Sequence, residues 1–199
     1  MHHPQFLLGP LALATCSAAT SGTVQPPPLN ITALSSRNGY SVLECWQLSS
    51  IPVDAMSAAN YAIGNTTQAT WSRVEPRTEV GEAWAPHVQL SVVLNGLIRI
   101  TSPAPSAGNA STGSVKIRDG SGGGDGGDGS GRPETKVAYV MPGTLTSSVV
   151  IAADLKSVST IAGHFTEFPS DEPTILVQVP FVGDKVPEHK VLYEGACVV

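Results

Sequence analysis

Ten short runs rich in Val, Ile, Leu and Thr, set apart by Gly, Pro, Asn, Asp and Ser, constrain this chain more than any other feature. They fall at residues 30–34, 41–48, 67–75, 88–94, 97–101, 137–141, 147–152, 165–168, 174–180 and 190–193. No sustained period near 3.6 runs through them, so they read as strands rather than as amphipathic helices. Many short strands with turn signals between them bury their apolar faces in a sandwich or barrel, and an all-β fold is expected. The sharpest local expectation is a hairpin at Asn95-Gly96, where both residues accept the positive φ of a type I′ turn and apolar runs flank them.

One stretch breaks the pattern. From 102 to 136 the composition turns to Gly, Ser, Asp and Pro, ending in GSGGGDGGDGSG at 120–131. Too few apolar side chains are present to offset the entropy of ordering it, so a flexible insertion without fixed structure is expected. The Gly-Asp run is single and lacks the apolar position of calcium-binding β-helical repeats, so no calcium site is expected there.

Residues 6–14 are apolar, too short to cross a bilayer, and run into Cys16, Ser17, Ala18 and Ala19, the pattern of a secretory leader. The expected organisation is a signal peptide over 1–19, a Pro-rich segment over 20–28 and one β domain over 29–199. Cleavage removes Cys16 and leaves Cys45 and Cys197, which have one possible intramolecular pairing. A disulfide closing so long a loop is worth about 5 kcal/mol on a chain-entropy argument. Sequons at Asn30, Asn65 and Asn109 agree with export as acceptors for N-glycans. The expected address is extracellular.

Charge narrows the partners. With 14% charged residues and a formal net charge of -5, the chain has no basic field for nucleic acid or an anionic membrane. No segment of the mature chain is long and apolar enough for a membrane anchor.

Outside the leader the histidines are His87, His164 and His189, with no HxH or HxxxH pair among them. His189 reads as a solvated loop residue. Trp46 and Trp71 read as core, and Trp84, just before Ala85-Pro86, as a loop residue leading toward a cavity.

The stretch Gly81-Glu-Ala-Trp-Ala-Pro-His87-Val-Gln89, continuing to Gly96, resembles a first cupin motif. Gln89 stands where that motif has its Glu, and Ala83 and Ala85 stand at its HxH positions. Val149-Val-Ile-Ala-Ala-Asp154, followed by Gly163-His164 and Asp171-Glu172, resembles the second motif. Together with Leu43-Glu-Cys-Trp-Gln-Leu48 and Phe168-Pro-Ser-Asp-Glu172, these residues are similar to a family of fungal small secreted cupin-like proteins. The similarity covers most of the mature chain except the Gly-rich insertion. It implies a jelly-roll barrel or sandwich in which Gln89, His87, Trp84 and Asp154 border a pocket and His164 points into it. Without the HxH residues no metal or other cofactor is expected.

Two functions follow. The first is a secreted, non-catalytic protein binding a small apolar or sugar-like ligand or a surface. The second is a metal-free isomerase, cyclase or dehydratase of fungal secondary metabolism, with His164 as acid or base and Gln89 orienting a carbonyl.

Overall fold

Register and pairing make the chain an all-β sandwich. The computed structural model describes residues 26–105, 131–143 and 147–198. The leader with Cys16, the sequon at Asn109 and most of the Gly-rich insertion lie outside the described residues.

The first hairpin joins β1 (Asn30–Arg37) to β2 (Tyr40–Leu48), with Arg37 opposite Tyr40. Its two-residue turn is Asn38-Gly39, both at positive φ (52° and 81°), as a type I′ turn requires. A second, exposed hairpin, β3 (Val53–Ala55) to β4 (Ala58–Asn60), stands apart from the main sheets.

The remaining strands are β5 (Thr70–Val74), β6 (Thr78–Ala83), β7 (Gln89–Asn95), β8 (Ile98–Ser102), β9 (Lys136–Val140), β10 (Val149–Ala152), β11 (His164–Phe168), β12 (Thr174–Pro180) and β13 (His189–Glu194). The larger sheet runs β13-β2-β1-β10-β7-β12-β5 and the smaller β6-β11-β8-β9. All ten expected runs contain strands, and the fold class is the expected one, a jelly-roll-like sandwich. One pairing, β1 with β10, is parallel.

Two apolar layers follow from strand alternation. Leu34, Leu43, Val93, Val150 and Leu176 of the large sheet meet Ile98, Ile100, Ala138, Val140 and Phe168 of the small one. On the large sheet's other face Ile31, Ala33, Trp46, Leu48 and Ile151 are covered by loop residues including Ile63 and Phe181.

The Asn95-Gly96 hairpin does not form. β7 belongs to the large sheet and β8 to the small one, so the chain crosses between layers at this point. Gly96 alone has positive φ (79°), and a Cβ there would lie 2.8 Å from Thr174 Cα. The Asn95 amide is spent on the Pro173 carbonyl at 2.8 Å. Glycine is needed here for a close approach of backbones, and the I′ geometry resides at Asn38-Gly39 instead.

Cys45 and Cys197 are joined, with Cα atoms 4.7 Å apart. The bond fixes the residues after β13 against β2, and the Cys197 N–H donates to Thr32 Oγ1 at 2.9 Å. The same edge carries an ion pair between a buried carboxylate and an exposed guanidinium. Glu44 accepts from Trp46 Nε1 at 2.8 Å and from Arg37, which also reaches Glu194. Burial works against the Arg37 charge, but the two carboxylates outweigh it and raise the guanidinium pKa above its ordinary value.

Two sequence expectations need correcting here. His189 is no loop residue; it opens β13 and stacks on buried Trp46 with ring centroids 3.6 Å apart. Trp71 is no core residue, being 61% exposed on β5, an edge strand of the large sheet.

Candidate functional site

Antiparallel pairing brings the start of β7, the ends of β10 and β12, and the start of β5 to one end of the sandwich. Gln89 pairs with Ala152 and with Pro180, while Thr70 pairs with Gln178. The start of β11 and the end of β6 join the same rim, since β10 leads within two residues to Asp154, which bonds His164. Two distinct constellations form there.

The first is buried. His164 Nδ1 lies 2.6 Å from Asp154 Oδ2, and Asp154 is fully enclosed. Ser41 donates to the same Oδ2 at 2.7 Å, and Ser102 donates to Ser41 at 2.9 Å. Asp154 Oδ1 and the hydroxyl of Ser159 are buried with no hydrogen-bond partner among the described residues. The ring of His164 is thereby held by one nitrogen, with Nε2 left over, the arrangement carboxylates give to imidazoles that bind metals or move protons. Across the β6–β11 pairing, His164 is directly opposite Ala83.

Local sequence accounts for this placement. Gly163 permits the approach of β6, because a Cβ at that position would meet the Ala83 carbonyl at 2.2 Å and the Trp84 ring at 2.8 Å. Its N–H donates to Glu82 Oε1 at 3.0 Å. Trp84 donates from Nε1 to the Ser159 carbonyl at 2.8 Å, and Lys156 Nζ sits 4.6 Å above its ring. Trp84 therefore buttresses the 154–163 loop.

The second constellation is an open groove of about 640 Å³ between β5, β7, the end of β12 and the following 3-10 turn, Val182–Asp184. His87, Gln89, Thr70, Gln178 and Asp184 line it, with Pro86 and Phe181 as apolar walls. Asp184 Oδ1 accepts the Val88 N–H at 3.0 Å and lies 3.2 Å from His87 Nδ1. Asp184 holds this position at a φ of 53°, a conformation non-glycine residues seldom adopt.

Gln89 is the notable member. It is only 5% exposed, yet its amide makes no hydrogen bond to a described residue and is not among the sealed atoms. A buried amide ordinarily finds a partner. Here the groove is what it faces.

The five residues expected around one pocket are thus divided. His87 and Gln89 share the groove; His164 and Asp154 form the buried constellation, and Trp84, bonded to the Ser159 carbonyl, does not line the groove. Asp184, Gln178, Ser41 and Ser102 went unforeseen. The inward Gln of Val177-Gln178-Val179 was the available signal, a polar residue amid β-branched neighbours. Of the described sequons, Asn65 is exposed and Asn30 is half-buried at the start of β1. Among the described residues no cluster of three metal-ligating side chains forms. Compared with protein-family models, curated proteins and solved structures, the chain matches none.

Proposed function

We propose that this chain is an exported, cupin-like β-sandwich that holds a small polar ligand in the groove at His87 and Gln89 and does no chemistry on it. The observation that carries the reading is Gln89, a residue 95% buried whose amide has no hydrogen-bond partner among the described residues and which lines a cavity of small-molecule size. A ligand in the groove would meet this amide, and one unable to hydrogen-bond to it would leave it unsatisfied at a cost of about 1–3 kcal/mol. The leader and sequons support export, and the Cys45–Cys197 bond is of the kind that persists in oxidising compartments. Among the described residues no helix is long and apolar enough to cross a membrane. The cupin assignment rests on the motif resemblance at Gln89, Asp154 and Gly163-His164.

Native mass spectrometry of untagged protein from the medium of its own host tests this. The expected result is a bound small molecule that is lost on Thr70→Trp, which fills the groove from an exposed position. A stoichiometric transition metal, or an adduct indifferent to Thr70→Trp, would overturn it.

A second reading draws on a specific contact. The Asp154–His164 pair suits a metal-free isomerase, cyclase or dehydratase in which His164 moves a proton. Gln89 would take no part, since it lines the other constellation. If His164→Ala leaves the host's secreted metabolites unchanged, the enzyme reading fails.

A further inference from the structure

Hydrogen-bonding capacity in the groove is unevenly committed, and the remainder defines a chemistry. Asp184 Oδ1 already accepts the Val88 N–H, so His87 Nδ1 must meet it as a donor. In the tautomer with the proton on Nδ1, Nε2 is an acceptor. Gln178 spends its carbonyl on the Ser72 hydroxyl at 3.3 Å and keeps its NH₂ as a donor. Gln89 keeps both its carbonyl and its NH₂.

We propose that the groove binds a neutral, hydroxyl-bearing sugar unit, with Gln89 and His87 as the residues that read its hydroxyls; this rests on the binding function proposed above. A hydroxyl donates and accepts at once, so vicinal hydroxyls satisfy the Gln89 amide and the His87 Nε2 lone pair together. A carboxylate or phosphate only accepts. It would face that lone pair and the Gln89 carbonyl with nothing to give, and the groove lining contains no Lys or Arg to neutralise it. A purely apolar ligand would leave the Gln89 amide dry and unpaired. Pro86, exposed at the groove, offers an apolar surface to the C–H face of a sugar ring. A volume of about 640 Å³ is in the range of small-ligand sites.

The test follows the side-chain amide of Gln89 and the imidazole of His87 by NMR while three probe sets are added to the full secreted chain. The sets are methyl glycosides of glucose, galactose, mannose and N-acetylglucosamine; glucuronate and galacturonate; and toluene. At least one methyl glycoside should shift both groups, and Gln89→Leu and His87→Ala should each weaken it roughly three- to tenfold. The His87 side chain is 59% exposed, so His87→Ala keeps the fold even if Gln89→Leu does not. Shifts from the uronates or toluene but not the glycosides would overturn the sugar assignment and leave a binding groove standing. Silence from all three sets would overturn both.

Discussion

Asp154 has no exposed surface, and its Oδ2 lies 2.6 Å from Nδ1 of His164. A carboxyl enclosed this fully depends on the few groups that touch it, here His164 and Ser41. His164→Ala removes one of its two partners, and leaving a buried acceptor short of a partner costs about 1–3 kcal/mol. Denaturant unfolding should show that loss, and a smaller one for Asp154→Asn, which keeps the shape and removes the charge. Equal midpoints for His164→Ala and the parent would contradict the account of this pair.

The crossing at Gly96 makes a second prediction. A Cβ there meets the backbone of Thr174, whereas at Gly39 it meets side-chain atoms alone, Ile161 Cγ1 at 2.9 Å and Cδ1 at 3.1 Å. Both glycines have positive φ, so both Ala substitutions cost more than about 1 kcal/mol. Gly96→Ala should be the worse of the two, because backbone yields less than a rotatable side chain. Thermal melts of the pair decide the order.

Removing the disulfide by Cys45→Ala with Cys197→Ala should cost about 2–5 kcal/mol. The damage should be local in kind. Amides of β13, an edge strand bonded to β2 alone, should exchange with solvent far faster, while those of β1 and β10 keep their order of protection. Hydrogen exchange resolved by residue is the measurement.

Ala83 faces His164 across the β6–β11 ladder, where side chains on one face stand about 5 Å apart. Ala83→His should therefore place a second imidazole beside a first whose ring is already fixed by Asp154. Cobalt titration followed by absorbance should show metal affinity gained over the parent and lost again in Ala83→His with His164→Ala. This also probes the motif resemblance, which puts a ligand position at Ala83.

Strand content was legible because burial on one face imposes a period of two, which Val, Ile and Leu mark directly. The partners of strands were not. Asn95-Gly96 and Asn38-Gly39 carry the same dipeptide, and only tertiary packing decides that the second turns a hairpin while the first passes between sheets. The exposed hairpin at Val53–Ala55 and Ala58–Asn60 left little trace, since Ala-rich strands without buried faces have no pattern to read. β6 was missed for a related reason, with Glu79, Gly81 and Glu82 interrupting any apolar alternation. At the site, Gln89 and His164 were singled out by their places in the two motif resemblances. Their separation was not visible, because it depends on tertiary packing, which puts β7 in the large sheet and β11 in the small one.

The central claim is that ligand binding belongs to the groove of Gln89 and His87 and not to the Asp154–His164 pair. Affinity of Gln89→Leu and of His164→Ala for the same ligand, measured side by side by calorimetry on folded protein, tests it most directly. The account predicts binding weakened several-fold in Gln89→Leu and unchanged in His164→Ala; binding lost in His164→Ala and kept in Gln89→Leu would contradict it.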